Sequence, residues 1–203
     1  MARHTGPTRK LSRRIGVDLG HKTNSAKTAQ RLAIPPGAHG RKGGNRKLSD
    51  YGQQLKEKQK VKWAYGVMEK QFRRYYEMAL KNPSSTGAEL LRILESRLDN
   101  VVYRLRFAPT RKAARQMVSH GNVRVNEAKL SIPSYLVKEG DTISLSDTAQ
   151  KIPVVAELLK DKELTIPSWL ERKAAVGLVK QTPSRDDVDV DINEQLIVEH
   201  YSR

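Results

Sequence analysis

Cysteine is absent from this 203-residue chain. That absence excludes disulfides, thiol catalysis and cysteine-ligated zinc in one step. No apolar run approaches the ~18 residues of a membrane-spanning helix. The N-terminus is cationic but is followed by no apolar signal core, so a soluble, intracellular protein with no membrane partner is expected. Catalytic signatures are missing as well. The five histidines, at positions 4, 21, 39, 120 and 200, form no His-Glu-x-x-His and no triad-like local pattern. Gly37-Ala-His-Gly-Arg-Lys-Gly-Gly44 lacks the Gly-Lys-Ser/Thr ending of a nucleotide P-loop. Asp187-x-Asp-x-Asp191 opens like a calcium loop, but Ile192 stands where the sharp turn needs glycine and Val198 where a bidentate Glu is needed. No catalytic residue, metal or cofactor is therefore expected.

Acidic charge is scarce where basic charge is dense. The chain carries a formal net charge of +16 and a pI near 10.1, which points to a polyanionic partner. Residues 1–62 hold 16 Lys/Arg against three Asp/Glu, an excess of +13, leaving only +3 for the other 141 residues. A short basic run is usually a solvated surface. An excess of this size over so short a stretch repels itself unless an anion neutralises it. Residues 1–47 also have little apolar periodicity, although Leu11, Ile15, Val17 and Leu19 allow some local packing. By themselves they cannot bury enough surface to offset their ordering entropy, so they are expected to be largely unfolded alone and to order on RNA.

Further along, periodicity takes over. Ser49 or Asp50 opens a helix expected to run to about Lys81, with Val61, Ala64, Met68, Phe72, Tyr75/Tyr76 and Ala79 as its apolar stripe. Gly66 weakens that helix by about 1 kcal/mol. Aromatic residues at this spacing (Trp63, Tyr65, Tyr75, Tyr76) are read as core rather than as base-stacking platforms. Thr86-Gly-Ala-Glu89 is a capping box that starts the next helix, whose buried side holds Leu91, Leu94, Leu98, Val101/Val102 and Leu105. Asp99, set among cations, is expected in an ion pair. Ala108-Pro109 then breaks the chain. Short strands are expected at Val123–Asn126, Leu130–Ile132 and Thr142–Leu145, followed by a helix at about Val154–Lys160. The fold class is α+β. A mainly helical N-terminal domain with a basic extension precedes a module of two helices on a short antiparallel sheet.

The most informative stretch is Thr110-Arg-Lys-Ala-Ala-Arg-Gln-Met-Val-Ser-His-Gly121, followed by Asn122-Val-Arg-Val-Asn126. Thr110 is an N-cap and Gly121 a C′ residue for a short helix between them. At about 100° per residue, Arg111, Lys112, Arg115 and Ser119 share one arc and Ala113, Ala114, Met117 and Val118 the opposite one. Val123 and Val125 alternate with Arg124 and Asn126, as in a half-buried strand. Cations and amides at fixed spacing on rigid backbone suit phosphates and sugar edges.

These residues carry a family resemblance. Arg97-Leu-Asp-Asn-Val-Val-Tyr-Arg-Leu105, the Thr-Arg-x-x-Ala-Arg-Gln helix and Ile132-Pro-Ser-Tyr135 resemble the RNA-binding module of the S-four family of small-subunit ribosomal proteins. Lys47-Leu-Ser-Asp-Tyr-Gly52, Arg73-Arg-Tyr-Tyr76 and Ile192-Asn-Glu-Gln-Leu-Ile-Val-Glu199 extend the similarity outside the module. Two departures are local: Arg106 stands in place of the usual glycine, and Asn126-Glu127 in place of the usual Asn-Gly turn. Some family members carry a cysteine zinc site near the N-terminus, which this chain lacks the ligands to build.

The resemblance implies a structural, non-enzymatic constituent of the small subunit that binds ribosomal RNA directly, nucleates assembly and influences decoding accuracy. It further implies neighbouring small-subunit proteins as partners, a place near the messenger path, a cytoplasmic ribosomal location and no homo-oligomer. Two alternatives stay open: an RNA-modifying enzyme using the same module, though only about 50 residues follow it, and a regulatory messenger RNA binder. The expected RNA contacts are Arg3, Arg9, Lys10, Arg13, Arg14, Arg41, Lys42, Arg46 and Lys47 in the extension. They continue with Tyr51, Lys56, Lys58, Lys60, Lys62, Arg73 and Arg74 in the helical domain. In the module they are Arg111, Lys112, Arg115, Ser119, His120, Asn122, Arg124 and Asn126. The expected domains are 1–47, 48–87 joined by the acidic tail 186–203, the module at 88–150, and a segment 151–185 returning to the N-terminal domain. Residues 186–199 hold six acidic and no basic side chains, which suits a tail folded back on a cationic surface.

Overall fold

A computed structural model describes residues 3–21, 26–40, 48–82, 85–161, 165–189 and 191–202. The chain divides into two compact units, residues 1–87 with 191–203 and residues 88–190.

The first unit is helical. Helix α1 (Thr8–Ile15) is amphipathic and buries Leu11 and Ile15, with Leu19 buried just beyond it. Helix α2 (Ala26–Leu32) follows. The sequence expectation is that residues 1–47 are largely unfolded alone and order on RNA; in the folded chain their described part includes these two helices. The entropy argument applied to the segment alone, whereas α1 has a neighbour to pack on in α3 (Asp50–Ala64).

The Ser49 hydroxyl accepts from Gly52 N at 3.3 Å and caps α3. The single helix expected over 50–81 is broken. Gly66 takes a left-handed φ of 64°, Met68 is extended, and a separate α4 spans Glu69–Ala79. Glycine adopts that conformation without a Cβ clash, so the turn is favoured over a continuous helix that glycine itself weakens. Val61, Ala64, Tyr65, Val67, Phe72, Tyr75 and Tyr76 are buried around this turn.

Chain-terminal helix α10 (Glu194–Tyr201) packs on α3, so the first unit is discontinuous in sequence. Tyr201 stacks on Tyr76 with ring centroids 4.6 Å apart, and its hydroxyl donates to Glu69 at 2.8 Å. Gln54 Nε2 donates to Glu199 at 3.0 Å, and Asn193 N to Glu57 at 2.9 Å.

The second unit is α+β. Helix α5 (Thr86–Glu95) leads into it and α6 spans Leu98–Arg104. The break between them was not expected. Arg97 is extended and pairs with Leu136 in an isolated bridge. The Ile132-Pro-Ser-Tyr135 segment explains why. The carbonyl of Tyr135 accepts from Leu98 N at 2.8 Å, and that of Pro133 from Asp99 N at 3.1 Å. Backbone donors that no helix turn satisfies at the start of α6 thus find partners in another segment.

Helix α7 (Arg111–Ser119) packs against α6. Strands β1 (Val123–Val125), β2 (Ala128–Lys129), β3 (Thr142–Leu145), β4 (Leu170–Lys173) and β5 (Val176–Val179) form one antiparallel sheet in the order β2-β1-β3-β5-β4. The second expected strand is shifted: β2 is Ala128–Lys129, not Leu130–Ile132, because the Asn126-Glu127 turn is only two residues long. Helices α8 (Asp147–Gln150) and α9 (Pro153–Lys160) follow β3.

Residues 151–185 were expected to return to the N-terminal domain. They lie in the second unit, where β5 pairs with β3 and extends the module's sheet. Gly177 permits this, since a Cβ there would sit 2.4 Å from Leu105 Cδ1. The core beneath the sheet includes Leu98, Val102, Leu105, Phe107, Val118, Ile143 and Trp169, each 0% exposed. The expected tail 186–203 divides: residues 186–190 belong to the second unit and 191–203 to the first.

Candidate nucleic-acid interface

The cationic face is built on α7. Thr110 Oγ1 accepts from Ala113 N at 3.2 Å and starts the helix, while Ala114, Met117 and Val118 are buried under it. Lys112, Ser119 and His120 are exposed. Arg111 and Arg115 are not the free solvated cations that the sequence suggested. Arg115 Nη1 lies 3.4 Å from Asp99 Oδ2, with its side chain only 13% exposed. Arg111 Nε donates to Asn100 Oδ1 at 2.8 Å, and its guanidinium stands 4.6 Å from the Tyr103 ring centroid. The reason is the neighbour helix. The arc that carries positions 111 and 115 borders α6, whose Asp99 and Asn100 are buried and need partners.

Those partners belong to a buried polar network. Arg97 donates to both Asp99 oxygens, at 3.0 and 2.6 Å. Glu95, 0% exposed, accepts from Arg104 Nε at 2.9 Å and Nη2 at 2.7 Å. It also accepts from Asn100 Nδ2 at 2.6 Å. Asp189 closes the far side by pairing with Arg104. Forks of this kind are charge-assisted and directional, so they fix helix orientation as well as adding energy.

The sheet contributes a second set. Arg124 is exposed on β1, and the register places Lys129 directly opposite it. Lys129 was not among the expected contacts. The two-residue Asn126-Glu127 turn, once recognised, sets the pairing that brings it there. Asn126 is not a free amide: its Nδ2 donates to Asp141 at 2.8 Å and its Oδ1 accepts from Thr142 N at 2.9 Å. It locks the hairpin turn, with φ of 49° at Asn126 and 68° at Glu127. Asn122 is half-buried beside Ser146, whose N donates to its carbonyl at 3.0 Å.

Sequence reasoning also missed Arg106 and Arg172. Arg106 has a φ of 57°, and its guanidinium lies 5.6 Å from the Tyr103 ring centroid. Arg172 reaches the carbonyls of Leu105 at 3.2 Å and Leu158 at 2.7 Å. Burial lowers the Arg172 pKa below its ordinary value. Its role is structural, tying β4 to the ends of α6 and α9.

In the first unit the expected contacts separate. Arg3, Lys10, Arg14, Tyr51, Lys56, Arg73 and Arg74 are exposed, and Arg9 is half-buried. Arg14 lies 5.9 Å from the Trp63 ring centroid, and Arg73 pairs with Glu77 at 3.3 Å. Arg13 is turned inward, donating to the carbonyls of Ile34 at 2.8 Å and Pro35 at 2.9 Å.

Lys58 and Lys60 are buried. Lys58 and Lys62 both bind Glu69, at 2.9 and 2.7 Å, and Lys60 binds Glu57 at 3.0 Å. Lys58 and Lys62 thus tie α3 to Glu69 of α4, while Lys60 pairs one turn back within α3 with Glu57; an ammonium drawn out of water must find an anion. Burial acts to raise the Glu69 pKa, but hydrogen bonds from Lys62, Lys58 and Tyr201 outweigh it and bring it down to about 2. Arg41, Lys42, Arg46, Lys47 and the second half of the glycine-rich loop lie outside the described residues.

Residues 3–95 match the Ribosomal protein S4/S9 N-terminal domain, and residues 96–143 match the S4 domain. Over the full length of both chains, the protein is 53% identical to the small ribosomal subunit protein uS4 of Variovorax paradoxus. The chain belongs to the uS4 family. Family members of the same name from Herpetosiphon aurantiacus and Cutibacterium acnes are 52% and 50% identical, again with full coverage of both chains. The S4-domain match ends at residue 143, within β3, so strands β4 and β5 are additions to the sheet beyond it. No helix among the described residues is long and apolar enough to cross a membrane.

Proposed function

We infer that this chain is a structural constituent of the small ribosomal subunit that binds folded ribosomal RNA. The observation that carries the reading is full-length similarity, at 53% and 52% identity, to relatives named small ribosomal subunit protein uS4. The +16 net charge supports it, as does a rigid cationic face made by α7 and the β1–β2 hairpin. In the second unit the RNA grip consists of Lys112, Ser119, His120, Arg124 and Lys129, with Arg111 held at its edge. In the first unit it consists of exposed cations such as Lys10, Arg14, Lys56 and Arg74, together with the basic segment 41–47. Phosphate contacts dominate such surfaces and make binding salt-dependent.

The chain works without catalysis. Residues 151–185 belong to the second unit, where β5 pairs with β3 and extends the module's sheet. Its partners are small-subunit ribosomal RNA and neighbouring ribosomal proteins, with messenger RNA passing nearby, and it acts as a single copy in the cytoplasmic ribosome. Early binding would let it nucleate subunit assembly and influence decoding accuracy. Reconstitution tests this. Subunits assembled from purified components without the chain should stall as incomplete particles and mature on its addition. Normal particles formed without it would overturn the assembly role.

A further inference from the structure

Asn100 lies on α6 and is 2% exposed, outside every residue named above as an RNA contact. Its amide is held in one orientation by two different partners. Nδ2 donates to the Glu95 carbonyl at 3.0 Å and to Glu95 Oε2 at 2.6 Å. Oδ1 must therefore face the other way, where it accepts from Arg111 Nε at 2.8 Å. Glu95 is itself fixed by the two-pronged Arg104 fork. The Tyr103 ring, 4.6 Å from the Arg111 guanidinium carbon, supports the same side chain through its face.

We infer that Asn100 is a positioning residue for Arg111, relaying the rigidity of the buried Arg104–Glu95 pair to the edge of the RNA grip. An amide suits this task better than a carboxylate. It supplies an acceptor to a guanidinium Nε without adding a negative charge that would compete with phosphate. Arg115 shows the contrast one turn later. There the acceptor is the Asp99 carboxylate, and Arg115 is 13% exposed. Both arginines of α7 are half-buried; Arg111 is held by a neutral amide and Arg115 by a carboxylate. Orientation ahead of binding lowers the entropy lost when a flexible side chain engages a phosphate.

The inference rests on the RNA-binding reading, and a double-mutant cycle on the full-length chain separates the two. Asn100→Ala, Arg111→Ala and the double variant are titrated with in vitro transcribed small-subunit ribosomal RNA across a salt series, with circular dichroism reporting folding. With Arg111 present, Asn100→Ala should weaken binding on the order of tenfold, the scale of one charge-assisted hydrogen bond. The log K against log salt slope should flatten by about 0.7 to 0.9. In the Arg111→Ala background the same change should weaken binding less than about twofold. An equal loss in both backgrounds makes Asn100 a merely structural residue and overturns the inference, while leaving RNA binding intact. No salt-dependent affinity in the unsubstituted chain overturns both readings. Should Asn100→Ala fail to fold, 15N relaxation of the Arg111 Nε–H in the unsubstituted, RNA-free chain decides. An ordered Nε–H is expected, and a freely rotating one refutes the positioning role.

Discussion

Replacing Arg104 with methionine should cost the second unit a substantial part of its stability, and replacing Glu95 along with it should restore much of that loss. Glu95 is 0% exposed and its two oxygens take Arg104 Nε and Nη2 at 2.9 and 2.7 Å. Removing the guanidinium strips a buried carboxylate of its charged partner, although the Asn100 amide still donates to it. Breaking a buried pair from one side costs about 3–5 kcal/mol, whereas replacing both members with apolar groups is often close to neutral. A domain of this size has only about 5–15 kcal/mol in total, so Arg104→Met should remove a substantial part of the unit's stability. In Glu95→Leu/Arg104→Met, Asn100 Nδ2 keeps the Glu95 backbone carbonyl at 3.0 Å, and Asp189, 59% exposed, returns to water. The double variant should therefore lie within about 2 kcal/mol of the native unit. The assay is urea unfolding followed by Trp169, which is fully buried in this unit, in a full-length Trp63→Phe background. A loss below about 1 kcal/mol for Arg104→Met, or a double variant no better than the single, would refute the reasoning.

Three further predictions follow from the same structure. Glu127→Gly should stabilise the second unit by up to about 1 kcal/mol in the same assay, since Glu127 holds a φ of 68° that costs a side-chain-bearing residue about that much. Because the Glu69 pKa is depressed from 4.5 to about 2, its contribution to the first unit is fully present above about pH 4.5 and is lost as pH falls toward 2. Circular dichroism melts between pH 5 and 2 should show this loss in the native chain and a smaller one in Glu69→Gln. Lys112→Ala, Arg124→Ala and Lys129→Ala should each flatten the salt slope of RNA binding by about 0.7 to 0.9 with unchanged melting. Arg115→Ala, by contrast, should lower the melting temperature.

How much of this was legible in the residues depends on whether the decisive signal was local. The α7 helix was, because Thr110, Gly121 and the alternating Val123 and Val125 mark its ends and the strand beyond. Helix breaks were less so. Gly66 was visible as a weak point, but that it turns the chain depends on Phe72, Tyr75 and Tyr76 finding a buried side beyond it. The break at Arg97 was invisible, because its partners, Pro133, Tyr135 and Leu136, lie almost 40 residues away. Strands β4 and β5 were missed for a related reason: Leu170-Glu-Arg-Lys173 shows no alternation, and Gly177 looks like a strand breaker until Leu105 is seen against it. For the candidate interface, helical periodicity correctly grouped Arg111, Lys112 and Arg115 on one arc. It had no means of showing that part of that arc faces a buried Asp99. The same limit applies to Lys58 and Lys62, whose positive charge is legible but whose shared partner Glu69 lies on the next helix, whereas the Lys60–Glu57 pair, three residues apart on α3, is local.

The most direct test of the central claim is to crosslink the purified full-length chain to small-subunit ribosomal RNA and map the attached residues by mass spectrometry. The account predicts adducts on the exposed α7 and hairpin positions, Lys112, Ser119, His120, Arg124 and Lys129, and on Lys10, Arg14, Lys56 and Arg74 of the first unit. It predicts none on Lys58, Lys60 or Arg97, which are buried. Adducts that avoid α7 and the β1–β2 hairpin altogether would contradict it.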